Sequence, residues 1–196
     1  MPVRKKWLGA AVQLVLLLVL AGCVQEREEM VLQPTEFSQE TADVLNLFGE
    51  EVAFFDYCID DRVKSYSIDV WVCQDGKWTK CGKYYGNTQE KEGRFAIRIT
   101  ESGYDLFEIV DSGFVKSHYP DMPADFSGLK GGILSTRLSH AVPIQPEEEI
   151  LLWIKAGMEE PEEQGPVFSI EQNEFRKTLC DVGFAVTATF FSDPAE

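Results

Sequence analysis

Apolar and polar side chains alternate from Ser65 to Cys73, and this pattern constrains the fold more than any other feature of the chain. A period of two residues is that of a β-strand with one buried face, here the face that begins with Tyr66. Asp75-Gly76 follows directly, and this dipeptide favours a tight hairpin turn. The sequence therefore predicts an antiparallel hairpin that returns through residues 78–81.

Short apolar or alternating runs, separated by turn residues, recur along the rest of the chain. They predict strands over Glu51–Ile59, Arg94–Thr100, Ile133–Ala141, Glu149–Ala156 and Gly183–Phe191. A short helix is expected from Ser38, its N-cap, to Phe48, with Gly49 at the C′ position. A weak helix or turn is expected over residues 169–179. The predicted fold class is all-β, an antiparallel β-sandwich of about eight strands with a short N-terminal helix.

The register of one hairpin can be argued from the buried face. A two-residue turn at Ser102-Gly103 would place Ile97 opposite a glutamate, whereas a three-residue loop over residues 101–103 places it opposite Phe107. Because a slip of one residue exchanges the two faces, the apolar pairing is preferred. The following residues, 111–131, contain several glycines and prolines and are interpreted as a long loop.

The first 23 residues have the order of an export signal. Arg4, Lys5 and Lys6 precede an apolar run from Trp7 to Leu20, which is short for a membrane span and ends in small residues. Leu20-Ala21-Gly22-Cys23 resembles the lipobox of bacterial lipoproteins. The resemblance implies cleavage after Gly22 and acylation of Cys23, by chains such as palmitate.

This interpretation divides the chain into three parts and gives it a location. Residues 1–22 are expected to be a lipoprotein signal peptide, residues 23–37 an acidic tether of about 45 Å maximum reach, and residues 38–196 the β-sandwich domain. The expected partner at Cys23 is membrane lipid. The expected location is the extracytoplasmic face of the cell membrane.

A second resemblance covers most of the chain after the leader. The residues that carry it are Phe54-Phe55-Asp56-Tyr57, Val63-Lys64-Ser65, Trp71, Asp75-Gly76-Lys77-Trp78 and Ala185-Val186-Thr187-Ala188-Thr189-Phe190. In these segments the chain resembles a group of small, mostly β lipoproteins of anaerobic Gram-positive bacteria with no characterised activity. The resemblance supports the fold class and the location and implies no catalytic residue.

Charge and cysteine content limit the partners. The formal net charge is −15, and removal of the three cations of the leader would make it more negative still. Such a chain repels phosphates, so nucleic acid is not an expected partner. Cys58, Cys73, Cys81 and Cys180 leave the number of disulfides open, but neither register of the Asp75-Gly76 hairpin brings Cys73 and Cys81 within bonding reach.

Motifs for catalysis or metal binding are weak. Ser127-Gly128-Leu129-Lys130 matches the S-x-x-K pattern of penicillin-recognising enzymes, yet it lies in a glycine-bounded loop without the companion motifs. His118 and His140 show no metal-ligand spacing, and His118 is expected in the long loop. Loop carboxylates could gather around Ca²⁺ without a linear motif, but structural turns are the preferred interpretation. No cofactor is predicted.

The tryptophans are the candidate binding residues. Trp71 lies opposite the apolar face of its strand, Trp153 is out of phase with Ile150, Leu152 and Ile154, and the position of Trp78 depends on the hairpin register. Outward rings could form a platform for sugars or a protein. The preferred alternative is that the helix of residues 38–48 or the long loop covers them.

These observations predict a lipid-anchored, non-enzymatic binding or interaction module of the cell envelope, with an envelope protein or a glycan as partner. A carbohydrate- or cell-wall-binding domain is the first alternative. An envelope hydrolase is disfavoured because nucleophile–base pairs are missing. A transporter's solute-binding lipoprotein is disfavoured because its two α/β lobes do not fit the run of strands.

Overall fold

The computed structural model describes residues 29–47, 51–100, 102–160 and 174–195. The predicted leader, Cys23 and the predicted C′ residue Gly49 lie outside these ranges. The described elements are β1 (Val31–Pro34), α1 (Gln39–Leu47), β2 (Glu51–Cys58), β3 (Ser65–Gln74), β4 (Lys77–Asn87), β5 (Glu92–Ile99), β6 (Tyr104–Val110), β7 (Gly113–Tyr119), β8 (Ile133–Arg137), β9 (Val142–Pro143), β10 (Glu149–Gly157), a 3₁₀ turn (Phe175–Lys177) and β11 (Val182–Phe191).

The strands form two antiparallel sheets. The six-stranded sheet has the order β7-β6-β5-β2-β1-β9, and the five-stranded sheet has the order β4-β3-β11-β10-β8. One core cluster contains side chains from both sheets, with ring centroids of Phe95 and Phe190 6.1 Å apart and those of Tyr104 and Phe184 5.6 Å apart. The all-β class is confirmed, and the arrangement fits a sandwich-like fold with more strands than the eight expected.

The strongest sequence signals lie at the centre of the five-stranded sheet. Tyr66, Ile68, Val70 and Val72 of β3 all point into the core, as their alternation predicts. The turn at Asp75-Gly76 has two residues, with φ of 50° and 75°, the left-handed values that a type I′ turn requires. β11 also follows the prediction.

The helix is also confirmed where it is described. Ser38 caps α1, because its Oγ accepts a hydrogen bond from the Thr41 N–H at 3.3 Å. Residues 169–173 of the predicted weak helix or turn over residues 169–179 lie outside the described ranges, and the described part contains the 3₁₀ turn Phe175–Lys177. The strand predicted for residues 133–141 ends at Arg137, and the chain then crosses to the six-stranded sheet as β9.

The predicted hairpin register between β5 and β6 is wrong. Ile97 pairs with Leu106 and Phe95 pairs with Glu108, which gives a loop over residues 100–103. Thr100 stabilises this longer loop, since its Oγ1 accepts a hydrogen bond from the Gly103 N–H at 3.0 Å. Phe107 and Ile109 therefore lie on the outer face of the six-stranded sheet and not in the core.

Two segments that appeared irregular in the sequence contain strands. The predicted tether of residues 23–37 includes β1, which pairs with both β2 and β9 and buries Leu32 completely. The predicted long loop of residues 111–131 includes β7, which pairs with β6 over its full length. β1 is too short, and β7 too exposed, for hydrophobic periodicity to reveal them.

Glycines inside strands make room for tyrosine rings. Gly93 of β5 lies opposite Tyr57 of β2, and a Cβ atom at position 93 would lie 2.5 Å from Tyr57 Cζ. Gly86 of β4 has the same relation to Tyr66 of β3, with a Cβ atom 3.0 Å from the hydroxyl. These cross-strand contacts let a large ring cover the bare backbone of its neighbour.

Gly93→Ala should destabilise the domain by about 1–3 kcal/mol, because the new methyl group overlaps the buried ring of Tyr57. Denaturant unfolding measures the change. Glu92→Ala, an exposed neighbour in the same strand, is the control and should stay within about 0.5 kcal/mol of the parent. Equal stability of the two variants would show that the ring does not lie over position 93.

Candidate functional site

Two of the three predicted tryptophans lie together on the outer face of the five-stranded sheet. Trp71 of β3 and Trp78 of β4 both contact the ring of Phe175, with centroid distances of 5.8 Å and 5.3 Å. The indole N–H of Trp71 donates to Thr187 Oγ1 at 3.1 Å. The outward direction of Trp71 agrees with the prediction, and the two-residue turn places Trp78 on the same face, which is one of the two alternatives that the sequence left open.

The predicted outward position of Trp153 is wrong. A β-bulge at Leu152 lets Leu151 pair with Thr187 while Trp153 pairs with Val186, so the faces exchange after residue 152. Trp153 is completely buried in the common core, and its indole N–H donates to Ser135 Oγ at 2.8 Å. Ile154 faces outward instead and packs in the cluster that contains Phe175.

The tryptophans consequently form no three-ring platform. Trp71 and Trp78 are half-buried, and the turn at Phe175 packs between them, in place of the predicted helix or long loop. The guanidinium of Arg176 also lies 4.0 Å from the ring centroid of Trp71, and Lys80 Nζ lies 4.9 Å from it. Much of the ring area is thus already in contact with the protein itself.

Alanine substitutions should distinguish the buried Trp153 from the half-buried Trp71 by the loss of unfolding free energy. Trp153→Ala removes a fully buried ring and should cost about 3–5 kcal/mol of unfolding free energy. Trp71→Ala removes a half-buried ring that has one hydrogen bond, and it should cost about 1–3 kcal/mol. Denaturant unfolding of both variants checks this order, and a smaller loss for Trp153→Ala than for Trp71→Ala would contradict the bulge.

The outer face of the six-stranded sheet carries an open groove that the sequence did not reveal. Its volume is about 530 Å³, and seven of its eight described lining residues are apolar. These residues, here called the outer groove, are Leu45, Val52, Phe54, Ala96, Arg98, Phe107, Ile109 and Phe114. A cavity of this size lies within the range of small-ligand sites, roughly 300–1,000 Å³.

Three elements build the outer groove. The floor consists of outward side chains of β2, β5 and β6, and it exists because the β5–β6 register turns Phe107 and Ile109 away from the core. Leu45 of α1 lines one side, and Phe37, two residues before the first residue of the helix, packs edge-on against Phe54 at 5.1 Å. Phe114 of β7 lines the other side and is 69% exposed.

A cluster of charges adjoins the floor of the groove. The Asp105 carboxylate accepts hydrogen bonds from Arg98 Nε at 2.9 Å and from His118 Nδ1 at 2.7 Å, and it lies 3.2 Å from Lys116 Nζ. Burial by itself raises the pKa of Asp105, but the hydrogen bonds from His118, Arg98 and Lys116 outweigh burial and leave the pKa below its ordinary value. The prediction that His118 lies in a loop is wrong, because His118 belongs to β7, where it pairs with Asp105 of β6.

Asp105→Asn should change how stability depends on pH. Because the folded-state pKa lies below the unfolded value of about 3.9, the carboxylate stabilises the fold above that pH, and this contribution is lost as the pH falls through the lower folded pKa. The variant should be less stable than the parent by about 1–3 kcal/mol at pH 7, and the difference should shrink below pH ~4.

Unfolding free energies between pH 7 and pH 2.5 measure that difference. Asp61→Asn replaces an exposed carboxylate and serves as the control, with a change within about 0.5 kcal/mol at pH 7. A difference between parent and Asp105→Asn that stays constant over the whole pH range would contradict the charge-based account.

The remaining candidate motifs do not form a reactive constellation among the described residues. Ser127 and Lys130 lie in a loop, where the Lys130 ammonium pairs with Glu160 at 3.7 Å. Cys73 lies opposite Trp78 and is free, as is Cys81, which agrees with the prediction that the two are not bonded. Within the described ranges, no group of three or more His, Cys, Asp or Glu side chains has a geometry that could hold a metal ion.

Comparisons with models of protein families, with curated proteins and with solved structures found no match. Over the described part of the chain, no helix has the length and apolar character needed to cross a membrane. Function is therefore inferred from the sequence pattern of the first 23 residues and from the geometry of the two outer faces.

Proposed function

We propose that the protein is a lipid-anchored β-sandwich of the extracytoplasmic membrane face that acts as a non-enzymatic binding module. The observation that carries the anchor is Leu20-Ala21-Gly22-Cys23 at the end of a basic and then apolar leader. The shared core of the two sheets supports the sandwich architecture. Between Cys23 and Glu196, no apolar run of the sequence has the length of a membrane span.

The strand β1 shortens the proposed tether. Met30 is buried and Val31 begins the sheet, so only the chain between Cys23 and Met30 can separate the lipid from the domain. At about 3.6 Å per residue, these seven residue steps span at most about 25 Å, well below the 45 Å expected from the sequence. An anchored domain would consequently stay close to the membrane surface.

The outer groove is the better candidate for the binding surface. Its apolar floor is open, and Phe114 exposes most of its side chain there. The pair Trp71 and Trp78 is already occupied by Phe175. An open apolar concavity with one charged end is the usual form of a site for a small ligand.

Carbohydrate binding at Trp71 is the second candidate, and one observation favours it. Trp71 and Trp78 retain partial exposure on one face, beside Arg176 and Lys80, which could hydrogen-bond to sugar hydroxyls. A glycan array with the parent and with Trp71→Ala tests it. Retention of a glycan by the parent, with loss in the variant, would favour this candidate over the outer groove.

The anchor is tested by labelling cells with a radioactive or clickable palmitate. The parent should incorporate the label, whereas Cys23→Ser should remain an unprocessed precursor without label. Cys81→Ser is the matched control, since Cys81 is a free, exposed residue and its replacement should leave labelling unchanged. Incorporation of palmitate into Cys23→Ser would overturn the anchor proposal.

A further inference from the structure

We infer that the outer groove binds a free long-chain fatty acid, with the acyl chain along the apolar floor and the carboxylate at Arg98 and Lys116. The inference rests on the proposed function of the groove as the binding surface and names the class of ligand. Two observations support it, the composition of the floor and the position of the cations. A third argument is that few classes of ligand have polar groups that could all find partners in such a lining.

The floor can make apolar contacts with a ligand but has few groups for hydrogen bonds. Phe54, Phe107 and Ile109 present rings and aliphatic carbons over adjacent strands, and Arg98 is the only described lining residue with a polar side chain. The exposed ring of Phe114 would lose contact with water when a chain lies beside it. Burial of apolar area is thus the main source of affinity that this surface can supply.

Arg98, Lys116 and His118 converge on Asp105 at one end of that floor, whereas Arg94 at the other end is paired with Asp56. Lys116 Nζ is 5.6 Å from the ring centroid of Phe107, so a positive charge directly adjoins the apolar lining. The side chains of Arg98, Lys116 and His118 retain 37%, 38% and 59% exposure, whereas the side chain of Asp105 beneath them is 1% exposed. The charges that a ligand would meet at this end are therefore cationic, in a chain whose net charge is −15.

This pairing of an apolar floor with a cationic end selects among ligands. A peptide in the groove would have to leave backbone N–H and C=O groups without partners over the floor, which is costly. A sugar would leave hydroxyl groups unsatisfied for the same reason. A fatty acid has no polar atom along its chain and one carboxylate at its end, where a lysine and an arginine can donate charge-assisted hydrogen bonds.

The test uses the mature chain, residues 23–196, with Cys23→Ser so that it carries no acyl group of its own. This chain retains every described strand and its pairing partners. Sodium palmitate, below its micelle-forming concentration, is titrated against a bound fluorescent fatty acid, cis-parinaric acid, without detergent. We expect saturable binding with one site per chain. No saturable binding of palmitate would overturn the inference.

Three variants locate the site. Phe114→Ala should weaken palmitate binding about fivefold or more through loss of apolar contact, and Lys116→Gln about tenfold or more through loss of one charge-assisted hydrogen bond. Val115→Ala is the control, because Val115 is 53% exposed in the same strand but points to the opposite face. Equal affinities of Phe114→Ala and Val115→Ala would overturn the inference. Circular dichroism establishes that each variant is folded.

Hexadecanol, a neutral ligand with the same chain length, separates the inference from the function on which it rests. Binding of palmitate that falls in Lys116→Gln, with hexadecanol binding unchanged, supports the carboxylate contact. If palmitate and hexadecanol bind with equal affinity to the parent, and again to each variant, the fatty-acid assignment would be overturned but the groove would remain the binding surface. Binding of neither ligand, or a dimer whose contact Phe114→Ala abolishes in light scattering, would overturn both.

Discussion

The pairing of β3 with β11 is the constraint on which the rest of the structure depends. Ten residues of β3, Ser65–Gln74, pair with ten of β11, Val182–Phe191, without a shift in register. The two strands are more than 100 residues apart in the chain, so their pairing closes the domain around everything between them. Because each strand alternates, this one register fixes which side chains reach the common core and which form the outer face with Trp71.

The sequence predicts the structure well where alternation and turn chemistry agree. From Tyr66 to Val72 the apolar residues occupy one face, and Asp75-Gly76 favours a tight turn, so β3, the start of β4 and the direction of Trp71 follow from local rules. The predicted return strand ends at Cys81, however, whereas β4 continues to Asn87. β11 is equally regular. The β5–β6 hairpin shows the limit of this reasoning, because the loop depends on the Thr100 hydroxyl and because Glu108 takes an inward position near Tyr84, with Tyr84 Oη 3.3 Å from Glu108 Oε2.

The outer groove could not be predicted because it depends on features that are not periodic. It needs the β5–β6 register, which a rule based on apolar pairing misassigns, and it needs β7, which has mostly exposed residues. Some signals were present in the sequence. Three residues that favour strands, Phe114, Val115 and Tyr119, lie between Gly113 and Pro120, and the glycines at 86 and 93 lie within residues that otherwise favour strands. Together they indicate cross-strand rings and an additional edge strand.

Because of the bulge at Leu152, the face on which each side chain of β10 lies depends more on the number of residues in the strand than on their identity. One extra residue lets a single strand place Trp153 in the common core and Ile154 beneath Phe175 on the other side. A substitution at position 152 changes the local volume, and neighbouring side chains can adjust to it. An insertion or deletion in a segment flanking the bulge, with the bulge itself kept, would instead shift that part of the strand by one residue and exchange its buried and outward side chains. The common core and the outer face of the five-stranded sheet are therefore coupled through the number of residues in β10, so insertions and deletions on either side of the bulge are restricted more severely than substitutions.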